Sequence, residues 1–452
     1  MKRFSKLFLV LLLGGLIILT ACSNKTDTGG KKNEGDEGKK ETKIEYVFGP
    51  ETEGEIDFWT WSPDFYEDMI AEFNKTYPNI KVNLSVMGAG EVMDKMATTL
   101  AAGTGACDVC MVEVGGFPRF VVGDLLEDLF QPPYDIGRYE DLVPDFIWHQ
   151  WRSLDGKKMY GIPNGIAPGV WFYREDIYEQ MGFPNDPEEL GEFMQDKDNF
   201  LQMAQTFAAN DMYIMEFNDS PFIHMADMIG YYDNDLNYLR NTPELAEMLD
   251  LVKEGAQLNW APHLGIGSDQ GKQLIKQGKI VSYPNGAWGA RALSNIVPEQ
   301  EGKWRATRMP LGNTNTIGGS TYVIPAQSKN KEAAWAWLEW LNLSEDAWKI
   351  FTQNNLQPAW RHIVETPWYQ ESTNPFLGDQ KANALYAEIS ELTPRRIWTP
   401  LDGKTWPIFI EEINKSIANN IDSKTTLQTI ENNVMKQLGA DIEKLKEDAG
   451  LN

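Results

Sequence analysis

The stretch that decides the fold is residues 54–114, GEIDFWTWSPDFYEDMIAEFNKTYPNIKVNLSVMGAGEVMDKMATTLAAGTGACDVCMVEV. It opens with a β-rich run and continues with apolar residues that recur every four positions, at Phe65, Met69, Phe73 and Tyr77. That spacing predicts one face of a helix, which Pro78 ends. A strand over 81–86, a second helix and a strand over 107–114 follow. Strands that alternate with helices in this way predict an α/β layer with a parallel sheet.

Before this stretch, the chain begins like an exported lipoprotein. Basic residues at positions 2, 3 and 6 precede a short apolar run, and small residues then lead to Cys22. This order is typical of a secretory signal, and a cysteine at the cleavage point predicts that residues 1–21 are removed and that Cys22 carries lipid. The alternative is an uncleaved signal-anchor. The apolar run is about half of the roughly 20 residues that a membrane-spanning helix needs, which favours the lipoprotein signal.

Residues 22–53 are predicted to be a flexible, lipid-anchored tether. From position 23 to position 45 nearly every residue is Ser, Asn, Lys, Thr, Asp, Gly or Glu. Such a composition has little apolar surface to bury and favours disorder. We therefore expect the globular body to be held at the extracellular face of the cytoplasmic membrane.

The charge and length of the chain exclude some classes of protein. The formal net charge is −25 at pH 7, and removal of the three basic residues in the signal makes it more negative. Such a chain is repelled by nucleic acid and by bare anionic lipid. About 400 residues remain beyond the tether, too many for one core, so the sequence predicts two domains.

Cys107 and Cys110 form a CxxC motif, which in an exported chain could be a redox pair. The apolar residues around them are typical of a buried strand, in which residues three apart point to opposite faces. We therefore predict that both are structural cysteines.

No catalytic, cofactor or metal motif stands out. The sequence has no Walker loop, no HExxH and no GxSxG, and its four histidines are scattered. The segment 233–244, DNDLNYLRNTPE, has acidic or amide residues at positions 1, 3, 5 and 12 of an EF-hand, but Tyr238 stands where that loop needs glycine. A turn that leads into a helix capped by Thr242 is favoured over a calcium site. No catalytic residue, cofactor or metal is predicted.

Aromatic residues beside turn glycines and strand ends are the strongest functional signal. They are Trp59, Trp61, Trp171, Tyr173, Trp288 and Trp406. Each taken alone is better explained as core. Several of them, however, follow strand-like runs, where an α/β fold has its ligand crevice. Flat rings near acids and amides suit sugars, whose C–H faces stack while their hydroxyls form hydrogen bonds.

Four blocks resemble the family 1 extracellular solute-binding proteins of carbohydrate ABC importers, which include the maltodextrin-binding proteins. They are AAGTGACDVCMVE (101–113), DGKKMYGIPNGIAPGVWFYREDIYEQMGF (155–183), GKIVSYPNGAWGAR (278–291), and IGGSTYVIPAQSKNKEAAWAWLEWL (317–341) with the later LQPAWR (356–361). The resemblance implies a two-lobed, periplasmic-binding-protein-like α/β fold of type II, with the ligand cleft between discontinuous lobes. The implied lobes are 54–168 with 320–360, and 169–319 with 361–452.

The same resemblance implies which residues meet the ligand. On the first lobe they are Trp61, Asp64 and Glu113, and on the second lobe Phe222, Trp288, Arg291 and Trp406. Arg361 is a weaker candidate.

The function implied is a substrate-binding lipoprotein that captures an oligosaccharide by lobe closure and delivers it to ABC permease subunits. It is expected to be a monomer, to touch the membrane only through its lipid, and to come from a Gram-positive bacterium. One alternative is a secreted glycoside hydrolase that uses Asp64 or Glu113 as acid or nucleophile, which candidate oligosaccharides would reveal by cleavage. Another is a carbohydrate adhesin, which has no need of lobe closure.

Overall fold

The computed structural model of the protein describes residues 44–61 and 65–451. Its strands are β1 (Gly54–Thr60), β2 (Ile80–Val86), β3 (Val109–Glu113), β4 (Gly161–Ile162), β5 (Gly165–Ile166), β6 (Gly169–Arg174), β7 (Ser282–Gly286), β8 (Trp304–Arg308), β9 (Ser320–Val323) and β10 (Gln357–Pro358). Its α-helices are α1 (Tyr66–Thr76), α2 (Ala89–Ala102), α3 (Asp145–Gln150), α4 (Glu175–Gln180), α5 (Pro187–Phe193), α6 (Lys197–Ala209), α7 (Ser220–Asp227), α8 (Pro243–Gln257), α9 (Asp269–Lys276), α10 (Gly289–Ile296), α11 (Lys331–Leu343), α12 (Glu345–Gln353), α13 (Arg361–Val364), α14 (Pro367–Gln370), α15 (Ala382–Leu392), α16 (Asp402–Asn419) and α17 (Ser423–Ala449). Short 3₁₀ turns lie at Phe117–Phe120, Ile136–Leu142, Pro298–Gln300 and Pro375–Leu377.

The first lobe is built on a five-stranded sheet in the order β2-β1-β3-β9-β4. Strand β1 is parallel to β2 and β3, and α1 and α2 make the crossovers, so the alternation predicted for residues 54–114 is confirmed. Strand β9 comes from much later in the chain and joins antiparallel to β3 and β4. The sheet is therefore assembled from two separate parts of the sequence.

The second lobe is built on a three-stranded antiparallel sheet in the order β7-β6-β8. The buried residues of β6 alternate between two cores, as the pleat of a strand requires. Trp171 and Tyr173 pack with α6, α8, α16 and α17 on one side, and Val170 and Phe172 pack with α10 and α15 on the other. The first-lobe core is a separate cluster.

Crossing segments join the two lobes beside the cleft. Strand β5 pairs with β10, and the amide of Ile317 donates to the carbonyl of Ala167 at 2.8 Å. Gly318 and Gly319 have φ values of +84° and +130°, which side chains other than glycine rarely tolerate. The chain therefore turns into β9 at a pair of glycines.

The segment before β1 is attached to the first lobe. The amide of Val47 donates to the Glu339 carboxylate at 2.7 Å, and the Tyr139 hydroxyl donates to its other oxygen at 2.6 Å. The Tyr77 hydroxyl donates to the carbonyl of Phe48 at 2.9 Å. The sequence predicted a tether through residue 53, whereas these contacts fix the chain from about residue 44. Cys22 and the predicted signal lie outside the described residues.

The two cysteines of the body are joined in a disulfide, Cys107–Cys110, and both residues are fully buried. The prediction that they point to opposite faces was wrong, because it assumed one continuous strand. Strand β3 begins only at Val109, so Cys107 lies in the loop before it and can turn toward its partner. Complete burial fits the structural role that the sequence predicted.

The segment 233–244 forms a turn that leads into a helix. The Asp233 carboxylate accepts from the amides of Asp235 and Asn237 at 2.9 and 2.8 Å. The hydroxyl of Thr242 accepts from the amide of Leu245 and caps α8. This is the predicted turn and helix start, and the carboxylate is occupied by the turn's own amides.

Candidate ligand-binding cleft

A cavity lies between the lobes, at the carboxyl ends of β1 and β3. Its volume is about 330 Å³. Trp61 follows β1 and Glu113 ends β3, while Trp288 comes from the second lobe just before α10. Segments 165–167 and 318–320 line it between the two lobes. Open α/β sheets bind ligands at this end of their strands.

Glu113 is held in a fixed position. The amide of Gly115 donates to its carboxylate at 2.8 Å. Burial raises the pKa of Glu113, and hydrogen bonds from the amides of Gly115 and Gly116 act against that rise. A partly buried carboxylate with one oxygen bonded to the backbone is well suited to accept hydrogen bonds from ligand hydroxyls.

A pair of tyrosines, Tyr66 and Tyr322, forms part of the cavity lining. The hydroxyls of Tyr66 and Tyr322 are 2.5 Å apart, and both residues are fully buried. Burial raises the pKa of both side chains above the ordinary value for tyrosine. This pair was missed because its members are far apart in the chain and each is typical of core.

Trp288 is the aromatic surface that the second lobe offers to the cavity. Its side chain is 37% exposed, and its indole nitrogen donates to the carbonyl of Ile317 at 2.9 Å. A Cβ atom at Gly286 would lie 2.5 Å from that nitrogen, so only glycine leaves room for the ring. The ring is therefore fixed at its edge by the crossing segment that leads to β9, with its face available for stacking.

Amide side chains complete the polar part of the lining. Asn164 is 6% exposed, and its side-chain oxygen has no partner in the described chain. Asn355 and Gln357 also line the cavity. None of the three was predicted as a ligand contact, although Asn164 and Gln357 lie inside the quoted blocks 155–183 and 356–361.

The remaining predicted residues are placed elsewhere. Phe222 is 0% exposed and stacks on Phe409 inside the second-lobe core, with ring centres 5.7 Å apart, which corrects its assignment as a ligand contact. Trp406 is 43% exposed on α16, and Arg291 lies in α10, but neither lines the cavity. Asp64 lies outside the described residues. The structure thus brings together Trp61, Glu113 and Trp288.

The lining suits an uncharged ligand that has both apolar faces and hydroxyl groups. Rings offer stacking surfaces, and one carboxylate and several amides offer hydrogen bonds. In the described part of the chain, no group of three or more His, Cys, Asp or Glu residues is placed to hold a metal ion. Nor does any helix of that part have the length and apolar character needed to cross a membrane.

Comparison with known proteins gives consistent results. The chain is 26% identical over 409 residues to the arabinooligosaccharide-binding protein of Bacillus subtilis (strain 168), covering 83% of this chain and 87% of that protein. It is 23% identical over 355 residues to the galactooligosaccharide-binding protein of the same organism, covering 74% of this chain and 79% of that protein.

Solved structures share the two-lobed fold. The galacto-N-biose-/lacto-N-biose I-binding protein of the ABC transporter from Bifidobacterium longum has a TM-score of 0.71 at 20% identity, covering 86% of this chain and 98% of that one. The sugar-binding protein MalE from Xanthomonas citri has a TM-score of 0.70 at 19% identity, covering 87% and 99%. Residues 68–376 match the family described as bacterial extracellular solute-binding protein. Since that match spans more than half of its length, the chain belongs to this family.

Proposed function

We propose that the protein is the substrate-binding component of an ABC importer and that it captures an oligosaccharide between its lobes. One observation carries the proposal: Trp61 and Glu113 of the first lobe line the same cavity as Trp288 of the second lobe. A sugar in that cavity would stack on a ring and donate hydroxyls to Glu113 at the same time. Two of the relatives are named as binding proteins for arabinooligosaccharides and for galactooligosaccharides, which supports this class of ligand.

Capture would proceed by closure of the lobes. We propose that residues 54–168 with 320–360 move as one body against residues 169–319 with 361–452. A ligand that contacts both bodies favours the closed form, because only that form provides all of its contacts. The permease would then bind the closed form. Trp406, Arg291 and Asp64 are proposed to meet those parts of a longer ligand that extend beyond the cavity.

The protein would be held at the outer face of the cytoplasmic membrane by lipid on Cys22, as a monomer. Cys22→Ala should release the protein into the medium or leave an unprocessed precursor, whereas Ser23→Ala should leave the membrane-bound form unchanged. Fractionation of the producing cells measures both. A Cys22→Ala protein that is processed and membrane-bound as usual would exclude this anchor.

A screen with defined oligosaccharides tests the function. Arabino-, galacto- and malto-oligosaccharides of two to six units should be tested for a thermal shift, since a ligand at 100 times its Kd adds about 2.7 kcal/mol to folding stability. Small-angle scattering should then show a smaller radius of gyration with the bound sugar. Cleavage of the sugar would favour the hydrolase instead. Binding without a change of radius would favour a static site, as in an adhesin.

A further inference from the structure

A methionine lies in the wall of the cleft beside Glu113. Met111 is two residues before Glu113 in β3, and residues two apart in a strand point to the same face. Both line the cleft cavity, and Met111 is the one methionine among the described residues that line it. The residue is 8% exposed. A change in the chemistry of the Met111 side chain would therefore alter the cleft directly.

The Met111 sulfur is surrounded by hydroxyl groups. The hydroxyl of Thr60 donates to it at 3.2 Å, and the hydroxyl of Tyr66 donates at 3.8 Å. The Tyr66 hydroxyl is in turn 2.5 Å from that of Tyr322, and all three of these residues are fully buried. A thioether sulfur is only a weak hydrogen-bond acceptor, so an oxygen atom in the same place would form stronger hydrogen bonds with these donors.

Oxidation of Met111 would supply such an oxygen. It converts the thioether to a sulfoxide, whose oxygen is a polar acceptor. A polar group that is buried without a partner costs stability, but the Thr60 and Tyr66 hydroxyls already lie within reach of the sulfur. The first lobe can therefore hold the sulfoxide without unfolding, and the chemical change is confined to the wall of the cleft.

The other sulfur groups of the described chain are in different settings. Cys107 and Cys110 are joined in a disulfide, so no free thiol of the described residues competes for an oxidant. Met435 is 50% exposed on α17, a helix that does not line the cleft cavity. The family is extracellular, and proteins outside the cytoplasm meet oxidising conditions. Oxidants there act on methionines, and oxidation of Met111 is the event that reaches the ligand.

We propose that Met111 is an oxidation site through which a peroxide lowers the affinity of the protein for its sugar. This proposal rests on the proposed function. A lone pair of the Met111 sulfur attacks one oxygen of hydrogen peroxide. The O–O bond breaks as the S–O bond forms, and the second oxygen leaves as water with both protons. The sulfur loses two electrons and the peroxide gains them, so no other reactant is needed.

The added oxygen weakens sugar binding in two ways. It adds an atom to a lining that packs against the ligand, and added volume in a packed site is unfavourable. It also accepts from the hydroxyl of Thr60, the residue directly before Trp61, whose side chain lines the cavity. A bound sugar covers the same wall and shields the Met111 sulfur from peroxide. Methionine sulfoxide reductases reverse the reaction, so the loss of affinity is reversible.

Treatment of the ligand-free protein with hydrogen peroxide tests the site. Peptide mass spectrometry measures the sulfoxide at Met111 and Met435, and calorimetry measures affinity for a sugar of the two- to six-unit series. Complete oxidation of Met111 should lower affinity about tenfold or more, with an unchanged far-UV circular dichroism spectrum, and the reductases should restore it. A saturating sugar should slow oxidation at Met111 but not at Met435.

Two variants separate Met111 from the other methionines. Each variant is compared with its own untreated sample, so a change in its starting affinity does not affect the test. Met111→Leu keeps an apolar side chain of similar volume without the sulfur, and it should lose no affinity after peroxide. Met435→Leu is the matched control, because it removes an exposed methionine outside the cleft cavity and should lose affinity as the wild-type protein does.

The outcomes separate this oxidation site from the function as a whole. If the wild-type protein binds a sugar, and peroxide oxidises Met435 but not Met111, the oxidation site is refuted and the function stands. The same holds if Met111 is oxidised without loss of affinity. A loss that persists in Met111→Leu would also refute the site, because another residue would carry the effect. If no sugar in the series binds to the untreated protein, both proposals fail.

Discussion

The two walls of the cleft are built in different ways. The first-lobe wall carries groups fixed by hydrogen bonds: the Glu113 carboxylate accepts from the amide of Gly115, and the hydroxyls of Tyr66 and Tyr322 are 2.5 Å apart. The second-lobe wall contributes the partly exposed ring of Trp288, whose indole nitrogen donates to the carbonyl of Ile317. The first wall thus offers hydrogen-bonding groups, and the second offers an aromatic stacking surface. Mutations can separate these two roles.

The largest effect is expected from Trp288→Ala. Removal of a buried aromatic contact at a binding site typically costs about 2 kcal/mol or more, so affinity should fall at least about thirtyfold. Lobe closure measured by scattering should be lost in parallel, while the melting temperature of the ligand-free protein should change little, because the ring is partly exposed. Trp368→Ala, which removes a tryptophan outside the cavity, is the control. Normal binding by Trp288→Ala would mean that the ligand does not stack on Trp288.

Glu113→Gln tests the first wall and should weaken binding about tenfold at pH 7. A hydrogen bond to a carboxylate is stronger than one to a neutral amide by about 1–1.5 kcal/mol. Because burial raises the pKa of Glu113 above its ordinary 4.5, wild-type affinity should fall as the pH decreases through that raised value. The Gln variant should show no such fall. Parallel pH curves for the two proteins would mean that the Glu113 carboxylate does not accept from the ligand.

A smaller effect is expected from Gly286→Ala. The added methyl group would press on the indole nitrogen of Trp288 and on the carbonyl of Ile317, and should shift the ring by a few tenths of an ångström or more. We expect a loss of affinity of about threefold to tenfold, with a lowered melting temperature. Gly267→Ala is the matched control, since its methyl group would have no atom within 4 Å. Equal behaviour of the two variants would show that the position of the Trp288 ring does not matter for binding.

The smallest effect on sugar binding is expected from a change inside the second lobe, at Asp402. Burial raises the pKa of Asp402 to about 6, although hydrogen bonds from Thr399 lower it. The folded protein therefore binds this proton more tightly than the unfolded chain, and the resulting stability is complete below pH 3.8 and lost as the pH rises through 6. Asp402→Asn should remove this contribution, on the order of 3 kcal/mol for a pKa that rises from 3.8 to about 6, without affecting sugar binding.

Thermal melts between pH 3.5 and 7 measure that difference. Relative to wild type, the Asn variant should gain stability as the pH rises. His224, whose pKa burial lowers to about 4, acts in the opposite direction, because its neutral form is favoured in the folded state as the pH falls below 6.5. His224 is unchanged in both proteins, so it cancels in the comparison. A constant difference in melting temperature across this range would contradict the role of Asp402.

The sequence predicted the parts of the fold that depend on local pattern. Apolar periodicity located α1, α2 and the first three strands, and the polar residues before α8 identified its cap. Periodicity did not predict the place of β9 between β3 and β4, because pairing between distant segments leaves no local signal. The same limit applies to the disulfide, which depends on where β3 begins.

The ligand contacts were implied by the family resemblance and not by local pattern alone. Of the residues that it implied, Trp61, Glu113 and Trp288 line one cavity. Phe222 was misassigned because its burial depends on Phe409, on a helix far along the chain. The Tyr66 and Tyr322 pair was missed on the same grounds, since neither residue shows its partner in its own neighbourhood.

The contact of Val47 with Glu339 attaches the start of the body to the first lobe. The chain enters the body at the first lobe, so a proposed lipid anchor on Cys22 would pull on that lobe and not on the second. If the lobes close as proposed, the first lobe would stay at the membrane and the second lobe would move toward it. The permease would then contact the surface of the first lobe at all times, and the surface of the second lobe only when ligand is bound.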